Sequence, residues 1–597
     1  TLLFSRFMVS RDWRPVRLRA RADLSVLIVV SAPAPATLQR MRLAPIDFDA
    51  EVGAVKAALD GLGEDGVAVS VLGGPDAPAT PEALLEALRW GVDIVYLVSH
   101  GMFGRHTGTP ALVLQDGAGE ATVVKGEALT ERIGELPKPP RLMVLASCQS
   151  AGDGGQLSPD QRTTVQATLA GRLADAGVPA VVAMQGLISM ATVEAMMPTF
   201  FSELLRDGRI DRALAVARGK VRDRPDAWMP ALYTRLLGGR LWYEAGFAGE
   251  VGEEVWRRLV KPVKNGKVVP IIGPRLLDGI HGGGHDIAVR LAGRHRFPLQ
   301  VHHRDDLPRV AEYMQVRESR YNVIEAYRDE LLHNLVEQHG HWLPAKELSP
   351  KSGKQPKLGR LLGMVGDHLR EHDPRNPHRL LADLPAPLYV TTTFDPLLER
   401  ALKAKDRHPQ QVATRWRYHG PPASADDGEV APPTAHRPMV YHVFGAFGSD
   451  ANDGLVLTED DHFDYLLQAN AARLVPREVE SALVDNSLLF LGFRLTDWHF
   501  RVLFRLMMSL PGRERLKQYC HVAVQIDPDL QDMADVEGAK RYLAEYFGKE
   551  ANIDIFWGSS AEFLHALHQQ LQGAGDADDE SEDGDDDGDD DGDEWAF

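Results

Sequence analysis

The sequence predicts an α/β protein, and two observations carry that reading. Continuous apolar runs of strand length recur along the 597 residues, and stretches of helical spacing separate them. Runs that are apolar at every position, not at every second one, belong to strands buried on both faces of a parallel sheet. The first is Leu24–Ser31, followed by helical spacing near Ile46–Leu62, a strand at Val67–Leu72 and a helix at Pro81–Trp90. Next come the strand Asp93–Ser99, the hairpin-like Pro110–Gln115 with its Asp116-Gly117 turn signal, and the strand Arg141–Ser147. Helix Gln161–Ala176, strand Pro179–Met184 and helices near Met190–Leu205 and Arg212–Val221 complete a first unit.

A second unit begins after the Lys/Gly-rich joint at Lys261–Lys267, with the strand Val268–Ile272. The segment His281–His285 has no apolar residue and reads as a flexible loop. Residues Arg317 to about Leu369 read as helices, with a loop at Ser349–Lys357. Strands return at Leu388–Thr392, Met439–Phe444, Ser487–Gly492, Cys520–Ile526 and Ile553–Trp557. Residues 573–597 are Asp/Glu/Gly low complexity and bury too little apolar area to fold alone. The expected division is an extension at 1–23, a first domain at 24–245, a linker at 246–267, a second domain at 268–572 and a disordered acidic tail at 573–597.

Composition excludes several classes. Cys148 and Cys520 are the two cysteines in the chain, too few for a disulfide framework or a Cys-rich zinc site, and they point to the reducing cytoplasm. No stretch reaches the ~18 apolar residues of a membrane span. The net charge is −19, but 14 acidic and no basic residues lie from Asp576 onward, so the body is only mildly acidic. Direct nucleic-acid binding through a broad basic face is not expected. The opening at Thr1 lacks the order of a secretory signal, so the sequence is expected to start inside a longer chain. Adjacent residues of a strand point to opposite faces, so His302 to Asp306 reads as a solvated turn and no metal site is expected.

The chemistry sits at strand ends. In an open parallel sheet, ligands bind outside the carboxyl ends of the strands. His100 ends one expected strand and Cys148 ends another, so neighbouring strands would bring a nucleophile and its base to one edge. The N–H groups of Gly101 and Cys148 could then form an oxyanion hole, and Asp116 or Asp153 could line a pocket for a basic substrate side chain. Cys520, at a strand start, reads as structural. The strings VDIVYLVSHG and RLMVLASCQSAG, followed by VPAVVAMQGL and DAWMPALY, resemble the His and Cys motifs of CHAT domains, which are caspase-like. The resemblance covers residues 24–243. It implies a caspase-like α/β sandwich that cleaves peptide bonds without a cofactor, with His100 as base and Cys148 as nucleophile.

The strand Val268–Ile272 is followed by Gly273, Pro274 and Arg275, a poor match to a phosphate-binding Gly-rich turn. Four ordered strings, TTTFDPLLERAL, VYHVFGAFG, LVLTEDDHFDYL and LLFLGFRLTDWHFRVLF, resemble the sirtuin-like domains of bacterial defence proteins. That resemblance covers residues 262–570 and implies a Rossmann-type α/β domain that takes NAD or a related nucleotide. Gly273, Arg275, Thr393, Asp395, Gly445 and Gly492 are the positions it offers for the ligand. Thr393 stands where active relatives carry Asn, and Phe444 where they carry His. His442 lies two positions early, on Phe444's strand face and ~7 Å from it. A pseudo-enzyme follows from these departures.

The expected protein is a cysteine endopeptidase in a bacterial antiphage or conflict system, regulated or scaffolded by its second domain. Its partners would be a protein substrate, associated defence proteins and a second copy of itself. An NAD-hydrolysing effector and a non-catalytic scaffold are the alternatives.

Overall fold

The computed structural model describes residues 5–7, 19–21, 24–59, 67–103, 110–136, 138–146, 164–184, 188–236, 239–247, 252–299, 303–348, 357–414, 416–418, 423–424, 431–447, 454–472, 475–494, 498–525 and 536–579. The chain divides into two compact units, with the boundary between Glu244 and Ala245.

The first unit is built on strands β1 (Ser5–Phe7), β2 (Arg19–Ala20), β3 (Ser25–Val30), β4 (Ala68–Leu72), β5 (Ile94–Val98), β6 (His100–Phe103), β7 (Pro110–Gln115), β8 (Ala121–Lys125), β9 (Leu142–Ala146), β10 (Ala180–Met184), β11 (Pro230–Thr234) and β12 (Trp242–Tyr243). Seven of them form one sheet in the order β1-β11-β10-β9-β5-β3-β4, parallel throughout except where β10 meets β11. Along β3, β5 and β9, alternate residues enter two separate cores. Val26, Ile28, Tyr96 and Val144 pack on one face, and Leu27, Val29, Leu97 and Met143 on the other. This is why these strands read as unbroken apolar runs: helices cover both faces. The buried Asp93 ties the amino ends of three strands. Its carboxylate accepts from Ser25 N–H at 3.0 Å and from Arg141 Nε at 3.1 Å. A small antiparallel sheet, β6-β7-β8, lies apart from the large one.

The second unit is a nine-stranded sheet of β13 (Gly246–Phe247), β14 (Val268–Ile272), β15 (Leu388–Thr391), β16 (Gln410–Ala413), β17 (Ala423–Ser424), β18 (Met439–His442), β19 (Ser487–Leu491), β20 (His521–Gln525) and β21 (Ile553–Trp557). The order is β13-β21-β20-β19-β14-β15-β18-β16-β17, parallel except for the pairs β13/β21 and β16/β17. From β14 the chain moves outward on one side to β15, on to β16 and β17 and back to β18 between β15 and β16, and then crosses to β19 on the other side. That reversal makes the β14/β19 boundary the topological switch point.

Three expectations change. Residues 246–267, read as a linker, hold β13 and the helix Gly252–Lys264, whose Val255, Leu259 and Val263 are buried in a core of the second unit. The segment His281–His285 is a two-glycine break between the helices Asp278–His281 and Gly284–Arg294. Gly282 has φ +79°, which only glycine adopts readily. The helix Ser560–Asp579 runs through the first residues of the expected tail. Residues 580–597 lie outside the described residues.

Candidate functional sites

In the first unit the catalytic candidates are set by strand register. β5 and β9 are paired in parallel with Val98 opposite Ala146. His100 and the sequence position of Cys148 each follow that pair by two residues. Cys148 itself lies outside the described residues, as does Asp153. β5 ends at Val98, and His100 opens β6, the first strand of the antiparallel sheet, where it pairs with Val113. The sequence placed it at the end of a single strand; Ser99 breaks the run and redirects the chain.

His100 is 3 % exposed, and its Nε2 lies 2.8 Å from the carbonyl oxygen of Ala44. A carbonyl only accepts, so Nε2 carries the proton and Nδ1 takes the acceptor role. Ala44 lies between the helices Pro35–Met41 and Phe48–Ala58. Sequence reasoning missed it, although Pro45 was a signal, because a proline restricts the residue before it to extended conformations and so fixes the direction of its carbonyl. Gly101 is in β6 opposite Leu112 and is half-buried. Asp116 does not join this group. Its Oδ1 accepts from the N–H groups of Ala118 and Glu120, both at 2.9 Å, which closes the exposed β7–β8 turn. It lies three residues past Val113, roughly 10 Å along the strand from His100's partner.

In the second unit the switch point is filled by its own backbone. Gly273 N–H donates to Leu491 O at 2.7 Å, Arg275 N–H to Gly492 O at 3.0 Å, and Leu276 N–H to Gly273 O at 3.3 Å. Pro274 has no N–H. A Cβ on Gly273 would sit 2.4 Å from Gly492 O, and one on Gly492, at φ +77°, 2.8 Å from Leu276 N. These glycines serve close packing of β14 on β19, and the turn keeps no backbone donor for a phosphate. Arg275 Nε lies 3.4 Å from Asp278 Oδ2.

Beyond β15, Thr393 is buried, with Oγ1 3.0 Å from Thr391 Oγ1. Asp395 Oδ1 accepts from Leu397 N–H at 3.0 Å, while its buried Oδ2 has no hydrogen-bond partner among the described residues. His442 is fully buried. Nδ1 is 3.0 Å from Thr393 O, and Nε2 is 2.7 Å from Glu399 Oε1. Both of these close neighbours are acceptors, which favours the doubly protonated ring; Gln411 Nε2 lies further off, 3.5 Å from Nε2. Burial alone would lower its pKa; the Glu399 carboxylate outweighs this and raises it. His281 and His378 are also buried. Burial holds both below the usual histidine range, against the opposing charge of Asp395.

The expectation that His442 and Phe444 share a strand face is overturned. β18 ends at His442, and the chain turns at Val443-Phe444 ahead of Gly445, which has φ +89°. His442 reaches the helix Leu397–Lys403, whereas Phe444 packs on His462 and Tyr465 with ring centroids at 5.3 and 5.4 Å. Gly445 is held by packing too: an added Cβ would lie 2.9 Å from Gly454 O. The His303-to-Asp306 stretch spends its polar groups on neighbours, with His303 Nδ1 2.6 Å from Arg309 and Asp305 3.4 Å from His285. Among the described residues no group of three or more His, Cys, Asp or Glu could hold a metal ion.

Comparison with known families defines the class. Residues 3–238 match the family described as CHAT domain, and residues 387–553 the family described as SIR2-like domain. The chain joins a CHAT domain to a SIR2-like domain. The first match contains Ala44, His100 and Cys148; the second contains Thr393, Asp395, Glu399, His442 and Gly492 but not Gly273 or Arg275. Over 178 residues the chain is 25 % identical to NAD(+) hydrolase ThsA of Enterococcus faecium, a stretch that is 30 % of this chain and 34 % of that protein. The chain thus spans about a third of the length of that relative. No helix among the described residues is long and apolar enough to cross a membrane.

Proposed function

We propose that this chain is a cysteine endopeptidase of the CHAT type, working in bacterial defence under the control of its SIR2-like unit. The observation that carries the reading is the bond from His100 to the Ala44 carbonyl, at a sheet edge to which the Val98–Ala146 register also directs the chain before Cys148. In the mechanism this supports, His100 Nδ1 takes the thiol proton and the Cys148 thiolate attacks the scissile carbonyl carbon. The oxyanion accepts hydrogen bonds from backbone N–H groups, those of Gly101 and Cys148 being the candidates. The imidazolium returns its proton to the leaving amine, water then hydrolyses the thioester, and Cys148 regains its proton. Through both steps the Ala44 carbonyl keeps the ring oriented and stabilises its positive form. Asp116 caps its own turn and offers no carboxylate to a basic substrate side chain.

NAD is the ligand that the SIR2-like match and the relative's name suggest for the second unit. The residues present do not fit NAD hydrolysis: the turn at Gly273 has no donor left for a pyrophosphate, and His442 is locked between two acceptors. The unit therefore acts here as regulator or scaffold. The second reading, an NAD hydrolase controlled by the CHAT domain, is favoured by the likeness to ThsA. Peptide cleavage lost in Cys148→Ala supports the first reading; nicotinamide release independent of Cys148 supports the second.

A further inference from the structure

One surface of the second unit has a chemistry that its own packing does not use. The helices Trp498–Ser509 and Val536–Ala551 meet through Phe504, whose ring lies 6.3 Å from Tyr546 and 5.4 Å from Phe547. Tyr546 stacks on Tyr542 with centroids 6.2 Å apart, and the two are 37 % and 65 % exposed. Arg501 and Arg505, four residues apart, share one exposed face of the first helix, and Phe504 lies one turn from Arg501. Arg541, also exposed, precedes Tyr542. None of these three arginines has an ion-pair partner among the described residues. Two packed helices that carry a solvent-facing tyrosine stack and three exposed guanidinium groups suit an acidic segment with aromatic side chains.

The chain contains such a segment. Residues 580–597 hold 11 acidic and no basic residues, together with Trp595 and Phe597. They follow the helix Ser560–Asp579, which packs through Phe563 and Leu567 on one side of the sheet, while Phe547 packs on the other. Both helices adjoin β21, one entering it and one leaving it. Packed layers are ~10 Å apart, so crossing from one face of the sheet to the other takes about 20 Å; the 20-residue helix carries Asp579 up to about 30 Å further, and 18 residues span up to about 60 Å.

We propose that the acidic segment 580–597 docks on the Arg501/Arg505/Tyr542/Tyr546 surface of its own chain. Its carboxylates pair with the arginines, and its aromatic rings extend the tyrosine stack. The surface is thereby occupied until something competes with the segment for it.

The test uses the full chain with a fluorophore attached after Phe597 and reads rotational anisotropy. The expected result is a slow rotational component in the wild-type chain at every protein concentration. That component should be lost in Arg501→Glu/Arg505→Glu, in Tyr542→Ala/Tyr546→Ala and at high salt, with circular dichroism showing both variants folded. A label that tumbles freely in the wild type overturns the proposal, as does one held equally in the variants. Immobilisation that appears only as concentration rises would assign the contact to a second copy and overturn it. A single-stranded oligonucleotide bound through the same arginines while the label stays held would also overturn it.

Discussion

His442 and Glu399 form a buried pair at 2.7 Å in the SIR2-like unit. This imidazole, two positions before the place where active relatives carry His, is clamped between that carboxylate and the Thr393 carbonyl. It ties β18 to the helix that follows β15.

This pair predicts a signed pH effect. The folded-state pKa of His442 lies above the usual 6.5. Its contribution to stability is therefore fully present below the unfolded pKa and is lost as pH rises through the folded value. Glu399→Gln, which leaves a buried imidazole without its counter-charge, should cost about 3 kcal/mol near pH 6. The deficit relative to wild type should shrink at alkaline pH. Urea unfolding at both pH values measures it.

Restoring the family residues should not restore the family chemistry. Phe444 packs against Tyr465 and His462, away from His442. Thr393→Asn/Phe444→His is expected to leave nicotinamide release at background and to lower stability by about 2–4 kcal/mol through the lost core aromatic. Release at rates well above wild type would show that position 444 reaches the nucleotide.

Gly273→Ala tests the packing at the switch point. The added Cβ would lie 2.4 Å from Gly492 O, which belongs to backbone and cannot swing away. A loss of about 2 kcal/mol or more is expected, read as a lower urea midpoint with unchanged slope.

The two cysteines should differ in reactivity. Cys520 is buried, and burial pushes its thiol up to about 11. At pH 8 only about one part in a thousand is thiolate. A thiol alkylator should label Cys148 first and leave Cys520 largely unmodified until the chain unfolds, as peptide mass mapping would show.

The Ala44 carbonyl gives the dyad a third member to test. Pro45→Gly removes the restriction on Ala44 and should lower kcat about tenfold with little change in KM. A matching loss of folded protein in urea unfolding of Pro45→Gly would show the effect to be unrelated to the dyad.

Much of this architecture was legible because parallel strands buried on both faces leave an unbroken apolar trace. Ser25–Val30, Ile94–Val98 and Leu142–Ala146 were placed to within a residue or two for that reason. What escaped depends on contacts distant in sequence. β6 and β8 carry no such run, β13 is two residues long, and Ala44 offers only a backbone oxygen. Gly273 and Gly492 read as nucleotide glycines, since sequence cannot distinguish a glycine kept for a ligand from one kept for its neighbour. Asp116 was read as a pocket residue, but a carboxylate just before a Gly in a hairpin is equally suited to capping its own turn.

On the proposed function, peptide cleavage depends on Cys148. The direct measurement is mass-spectrometric analysis of a degenerate peptide library after incubation with wild type and with Cys148→Ala, each with and without NAD. Cleavage by the wild type, absent in Cys148→Ala, is the expected result, and a change on adding NAD would assign regulation to the SIR2-like unit. Identical cleavage by both proteins, or nicotinamide release with no cleavage in any condition, would contradict the account.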